Sequence, residues 1–130
     1  MAELLVRYFE SVSLPPGALL TEQGTPSDEM YFVESGRAAV RMRAPGNGGV
    51  RLATVGPGAI VGEVAFYLGQ PRTASIMAET PIEARRLSRA DLVRLQAEMP
   101  ALALRFHEGI ATMLAARVTA TNRLVGFLAD

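Results

Sequence analysis

Apolar residues recur with different spacings along the chain, and each spacing predicts a different structure. Residues 2–11 carry apolar side chains at helical spacing, which predicts a short amphipathic helix ended by the segment Leu14–Gly17. Across residues 18–87, short apolar runs that alternate with polar positions are separated by turn sequences, of which Asn47-Gly48 indicates a hairpin. Many short strands at this spacing favour a sandwich or jelly roll with one solvated and one buried face.

Helical spacing returns after Leu87. Ser88 and Asp91 have the spacing of a capping box, and Pro100 suits the first turn of a long helix that ends near residue 128. Two apolar stripes follow this last helix, and we expect one to pack on the strands while the other acts as a lid or contacts a partner. The stripes contain Leu102, Phe106, Ile110 and Met113 in the first, and Leu104, Ala111, Leu114, Val118, Val125 and Leu128 in the second.

These patterns predict one domain over residues 1–130 that is mainly β with flanking helices. We expect a double-stranded β-helix (jelly-roll) barrel at 18–87, preceded by the N-terminal helix and its lead-in at 1–17 and followed by two C-terminal helices at 88–130. A chain of 130 residues has the size of one ordinary domain, so a second full domain does not fit.

Composition narrows the range of functions. No apolar run reaches the length of a membrane span and no signal-peptide core is visible, so we expect a soluble, cytoplasmic chain. Thirteen basic and 13 acidic residues balance, which is not the charge pattern of a nucleic-acid-binding domain. With no cysteine and one histidine, His107, the chain lacks the ligands on which metal enzymes with a jelly-roll fold depend. We therefore expect no enzymatic activity, no metal and no cofactor.

One segment carries the most specific chemistry. Between Gly62 and Ser75, the sequence places a carboxylate, Glu63, and a guanidinium, Arg72, on either side of one or two predicted helical turns at 64–68. The first amides of such a helix have no internal partner and can donate to an anion. A guanidinium supplies a planar fork of donors that matches phosphate oxygens. The segment is therefore suited to a small anionic ligand.

The motifs Gly-Glu-x-Ala at 62–65 and Pro-Arg-Thr-Ala at 71–74 resemble the phosphate-binding cassette of cyclic-nucleotide-binding domains, as in catabolite activators, protein kinase A regulatory subunits and cyclic-nucleotide-gated channels. The resemblance extends over nearly the whole chain. It implies that Glu63 accepts a hydrogen bond from the ribose 2′-hydroxyl, that Arg72 pairs with the cyclic phosphate, and that the Ala65 and Thr73 positions add hydrogen bonds. The implied cassette contacts are Gly62, Glu63, Val64, Ala65, Arg72, Thr73 and Ala74.

The base end of the implied site is less specific. We expect Val40 and Leu52 to form an apolar floor for the purine, although either could be a simple core residue. Arg117 and Val118 stand where catabolite activators have small hydroxyl residues, so Arg117 either stacks on the purine as a cation or is a solvated helix residue. The Thr73 hydroxyl could bond the phosphate or a guanine amino group. Because cAMP is the commoner bacterial ligand that the resemblance implies, we favour cAMP over cGMP.

The predicted function is therefore a regulatory binding module for a cyclic nucleotide, with the C-terminal helix as lid and output. The effector domain is not visible in this sequence, whether it lies in the same protein or in a partner, and a homodimer through the C-terminal helix is one expected assembly. The alternative is a cassette-bearing barrel that binds no nucleotide in practice. Such a barrel would be a structural or dimerisation domain of a larger protein, for which a sulfate-permease-like transporter is one candidate; the chain would then be a soluble domain of a membrane protein.

Overall fold

The computed structural model describes the backbone of residues 2–43 and 49–129 and the side chains of residues 3–43 and 49–120. The elements in chain order are α1 (Ala2–Val6), β1 (Glu10–Leu14), β2 (Leu19–Thr21), β3 (Glu29–Ser35), β4 (Ala38–Met42), β5 (Val50–Val55), β6 (Ile60–Val61), α2 (Glu63–Leu68), β7 (Ser75–Ala78), β8 (Ile82–Ser88), α3 (Arg89–Glu98) and α4 (Pro100–Ala129). The predicted Asn47-Gly48 hairpin and the side chains of Val125 and Leu128 lie outside the described residues.

The strands form two four-stranded antiparallel sheets, and the chain crosses repeatedly from one to the other. One sheet has the order β1-β8-β3-β6 and the other the order β2-β7-β4-β5. Two packed sheets connected in this way, with helices at both ends of the chain, confirm the predicted fold class: mainly β, of jelly-roll type, with flanking helices.

Strand β3 separates two hydrophobic clusters because its successive side chains point to opposite faces. Tyr31 and Val33 belong to the core between the sheets, together with Ile82 of β8. Met30 points the other way and packs with Phe66 of α2 in a second cluster, which α3 and α4 complete. The second cluster matters for function, since it fixes α2 and both C-terminal helices against the outer face of the same sheet.

The N-terminal helix is shorter than predicted. It ends at Val6, and Glu10–Leu14 form strand β1, which pairs with β8 in a register that joins Val12 to Ala84. The prediction failed because Leu4, Leu5, Tyr8 and Phe9 fit a helix, whereas the alternation that begins at Ser11 is short and follows them directly. The Leu14–Gly17 segment therefore ends a strand, not a helix.

The C-terminal helices begin where the sequence predicts. Ser88 is the N-cap of α3, and its hydroxyl accepts a hydrogen bond of 3.1 Å from the amide of Asp91. Pro100 is the first residue of α4, a helix of 30 residues. Leu102 and Ile110 are buried, whereas Leu104 and Val118 are 59% and 58% exposed, so among the described side chains the first stripe packs on the domain and most of the second faces outward. Within the described residues, no helix has the length and hydropathy needed to cross a bilayer.

Replacing Ser88 with alanine should lower the free energy of unfolding by about 1 kcal/mol, because the first turn of α3 would lose its side-chain acceptor. Urea unfolding followed by circular dichroism measures this change. Ser88→Thr keeps a hydroxyl at the cap and is the matched control, with an expected loss well below that of the alanine variant. Equal losses in the two variants would show that the cap contributes nothing.

Candidate functional site

Helix α2 forms the centre of the 62–75 segment, and a glycine in the left-handed region stands at each end. Gly62 is its N-cap with φ 80°, and Gly69 its C-cap with φ 65°. A Cβ atom on Gly62 would collide with Nη1 of Arg72. Two features therefore favour glycine at 62: its left-handed backbone conformation and the close approach of the Arg72 side chain.

The outer side of α2 is held by Ser27 and Arg89. The Ser27 hydroxyl lies 2.8 Å from the carbonyl oxygen of Ala65 and 2.6 Å from that of Gln70. Nη2 of Arg89 donates to the carbonyl oxygens of Phe66 (2.6 Å) and Ser27 (3.2 Å), and its guanidinium lies 4.3 Å above the Phe66 ring. These contacts hold the last turn of α2 on the side away from α4. The opposite side of α2 faces α4.

Arg72 is 5% exposed and bridges two parts of the chain. Nη1 donates to the carbonyl oxygen of Gly62 at 2.7 Å, and Nη2 donates to that of Glu29. Its backbone is fixed too: its amide donates to Thr25 and its carbonyl accepts from Gly24, both at 2.8 Å. The position of the guanidinium is therefore determined by the turn before β3 as much as by the 62–75 segment.

The electrostatic state of Arg72 follows from its burial. Burial lowers the pKa of Arg72, and nearby acidic groups, among them Tyr31 and Glu29, raise it in part. Because the ordinary value lies far above neutrality, the guanidinium stays charged. Its two bonded acceptors are neutral carbonyls, so its charge is available to attract an anion.

Glu63, the first residue of α2, is 4% exposed and pairs with a residue from the distant end of the chain. Its Oε1 accepts from Nη1 of Arg117 on α4. Nη2 of Arg117 also lies 3.3 Å from the carbonyl oxygen of Ile60 and 3.7 Å from the sulfur of Met113. The arginine therefore lies across the segment that leads into α2.

A second contact joins α4 to the other end of α2. The Tyr67 hydroxyl lies 2.9 Å from Nδ1 of His107, and Nε2 of His107 lies 2.8 Å from Oε1 of Gln96 on α3. With Tyr67 as donor, both nitrogens of a neutral imidazole are satisfied. Burial raises the pKa of Tyr67 to about 12, so this hydroxyl keeps its proton at neutral pH.

These geometries invite comparison with known proteins. The model of the cyclic nucleotide-binding domain family matches residues 11–99 of this chain. The chain belongs to this family. The match covers the sandwich, the 62–75 segment and α3, and it confirms the family that the two cassette motifs indicated.

Two curated proteins and one solved structure are among those similar to this chain. Glutaminase 2 of Bradyrhizobium diazoefficiens is 36% identical over 115 residues, which are 86% of this chain and 17% of that protein. A CRP-like cAMP-activated global transcriptional regulator of Mycobacterium tuberculosis is 29% identical over 91% of this chain and 51% of its own length. The solved cyclic nucleotide-binding domain from Methylobacillus flagellatus superposes with a TM-score of 0.83 at 33% identity, over 88% of this chain and 65% of that one. The chain thus spans about a sixth of the first curated relative and about half of the second.

Within the cyclic nucleotide-binding domain, the predicted site residues divide into two groups. The cassette residues and Arg117 lie around α2, with Val64 and Thr73 exposed, Ala65 buried, and the carbonyl of Ala74 accepting from Thr21 at 3.2 Å. The predicted floor lies on β4 and β5, and Val40 of β4 pairs with Ile76 of β7, the residue that follows the 62–75 segment. Val40 is partly buried against the core between the sheets, and Leu52 is 53% exposed beside a β-bulge in the β4–β5 pairing. Their contact with a purine stays a prediction.

The sequence did not indicate two of the contacts at this site. It offered Arg117 as a stacking or solvated residue and did not connect it with Glu63. It also gave no indication that Tyr67 and His107 meet.

Proposed function

We propose that this domain is a regulatory binding module for a cyclic nucleotide, with cAMP favoured over cGMP. The observation that carries the proposal is the arrangement around α2. A buried carboxylate, Glu63, opens the helix, a buried guanidinium, Arg72, follows it, and α4 is attached to both ends. A cyclic nucleotide offers a ribose hydroxyl for the first group and a phosphate charge for the second.

The phosphate end is the better supported half of the proposed site. A guanidinium has five N–H donors, so Arg72 can bond carbonyls and still present donors to an anion. Family membership supports the same assignment, because the motif positions of Arg72 and Glu63 match those of the cassette. Amides at the start of α2, from Glu63 to Ala65, would add hydrogen bonds to the phosphate.

Recognition of the base rests on weaker support. Val40 and Leu52 are proposed as the floor, and Arg117 as a cation over the purine once it leaves Glu63. The exposed Thr73 hydroxyl suits either the phosphate or a guanine amino group, so it does not favour one base. The preference for cAMP is supported by the mycobacterial relative, which is named as a cAMP-activated regulator.

Helix α4 is proposed as lid and output. It contacts α2 through Arg117 and His107, so a ligand that enters beside α2 would change the environment of both contacts. A ligand can shift the helix only by its differential affinity for two positions of that helix. Whatever is joined to α4, in the same protein or in a partner, would then respond to occupancy.

The alternative is a structural or dimerisation domain of a larger protein. It is favoured by the exposed stripe of α4, where Leu104 and Val118 are more than half exposed, and by the pairing of Glu63 with Arg117, which already satisfies the carboxylate. In this reading two copies would associate through α4. A cytoplasmic location fits both functions. Under the alternative, a transporter is one candidate for the larger protein that contains this domain.

Thermal unfolding with added nucleotide distinguishes the two. At 100 times its Kd, a ligand of the folded state stabilises by about 2.7 kcal/mol, so cAMP should raise Tm by several degrees and cGMP by less. Acyclic 5′-AMP, which has the same base, is the control and should have little effect. If neither cyclic nucleotide changes Tm at millimolar concentration, the structural function is the correct one.

A further inference from the structure

The ion pair between Glu63 and Arg117 is asymmetric. The Glu63 side chain is 5% exposed, whereas that of Arg117 is 49% exposed. A buried carboxylate that loses its partner carries a large penalty, while an exposed arginine is readily solvated. The buried carboxylate of Glu63 therefore needs a donor, whereas the exposed Arg117 does not need this acceptor. A competing donor could replace the arginine.

We propose that Arg117 occupies Glu63 in the ligand-free protein and thereby sets how strongly the site discriminates for the ribose 2′-hydroxyl. The proposal rests on the proposed function, because the competing donor is the hydroxyl of a bound cyclic nucleotide. It adds a role for Arg117 that differs from stacking on the base: the residue competes for the ribose acceptor.

Geometry supports competition over simple coexistence. Arg117 contacts Oε1 of Glu63, the carbonyl oxygen of Ile60 and the sulfur of Met113. Its guanidinium therefore covers the approach to the Glu63 carboxylate, and Glu63 as a whole residue is 4% exposed. A hydroxyl that approaches Oε1 of Glu63 must therefore move Arg117 aside. The free energy gained from the new hydrogen bond is then reduced by the loss of the old one.

Because His107 also attaches α4 to α2, the competition of Arg117 for Glu63 can be tested without undocking α4. Tyr67 and Gln96 hold His107 ten residues before Arg117, and the buried Leu102 and Ile110 attach the same half of the helix. Loss of the Arg117 contact should free only the part of α4 beyond about residue 110. Variants at Arg117 can therefore be compared in a folded, docked domain.

The decisive measurement is the ratio of affinities for cAMP and 2′-deoxy-cAMP, determined by calorimetry. In Arg117→Met, which keeps an apolar stem without the charge, Glu63 is open to the hydroxyl and the ratio should rise about five-fold or more. Arg94→Met on α3 removes the same charge from a residue whose ion pairs are with Asp91 and Glu98, and it should leave the ratio unchanged. If Arg117 only stacks on the purine, both ligands weaken equally, and the constant ratio overturns the proposal.

Hydrogen exchange of the ligand-free protein supplies a readout without nucleotide. Arg117→Met and Glu63→Ala should each speed amide exchange in residues 111–120, and the double variant should be no faster than Arg117→Met alone. Additive effects, or no effect, would contradict the pairing. Two failures are distinguishable: an unchanged ratio with intact binding overturns this inference alone, whereas absence of binding of either nucleotide to the wild type overturns it together with the proposed function.

Discussion

Replacing Arg72 with alanine is expected to weaken cyclic nucleotide binding by a factor of about 100 or more. Hydrogen bonds to charged groups contribute about 1.5–3 kcal/mol each, and a phosphate facing Arg72 would lose two of them as well as its countercharge. Every 1.4 kcal/mol is tenfold in Kd, so the loss of two such bonds corresponds to at least two orders of magnitude. Isothermal titration calorimetry with cAMP measures the change directly.

Because Arg72 is also structural, this experiment needs a control for folding. The alanine variant loses the bonds to the carbonyls of Gly62 and Glu29, so a lower Tm is expected in addition to weaker binding. Arg72→Lys keeps the charge without the planar fork, and we expect a smaller loss of affinity from it. A folded Arg72→Ala variant that binds cAMP as tightly as the wild type would contradict the assignment of the phosphate site.

The two roles of Arg72 have a common physical basis. A buried cation is costly unless its donors are bonded, and the carbonyls of Gly62 and Glu29 satisfy this requirement without neutralising the charge. If a carboxylate accepted from Arg72 in place of these two carbonyls, it would satisfy the same donors. It would also neutralise the positive charge and remove the attraction for an anion. The structure therefore keeps a charged donor group in place before any ligand arrives, which reduces the ordering that binding requires.

The sequence predicted the elements whose signals are local. Ser88 and Asp91 lie three residues apart, Pro100 begins its helix, and the short helix after Gly62 depends on a glycine and a run of five residues. In each case the physical cause lies within one or two turns of chain, so the pattern alone is sufficient. The cassette motifs are equally compact, which is why they indicated the family.

The features that the sequence did not predict depend on how distant segments meet. Strand β1 was not predicted, and its first two residues were assigned to the N-terminal helix, because its strand character is fixed by pairing with β8 and not by its own short alternation. Glu63 and Arg117 are 54 residues apart, and their contact requires the path of α4 over α2. The floor residues show the same limit, since the bulge in the β4–β5 pairing decides which way Leu52 faces.

One buried aromatic side chain stabilises the site, and Phe66→Ala is expected to lower the free energy of unfolding by about 3–5 kcal/mol. Phe66 is 1% exposed, its ring lies under the Arg89 guanidinium at 4.3 Å, and it meets the Tyr67 ring edge-on at 5.8 Å. Truncation would leave a cavity in the cluster that joins α2 to α3 and α4, and it would remove the surface on which Arg89 rests.

Urea unfolding monitored by circular dichroism measures this loss, and Leu68→Ala is the matched control. Leu68 lies on the same helix but is 61% exposed, so its truncation should cost well under 1 kcal/mol. The comparison holds helix propensity nearly constant, because both changes place alanine in α2. Equal losses would mean that α2 is stabilised by its own sequence, whereas the expected difference shows that the cassette helix is held in place by its attachment to the C-terminal helices through Phe66.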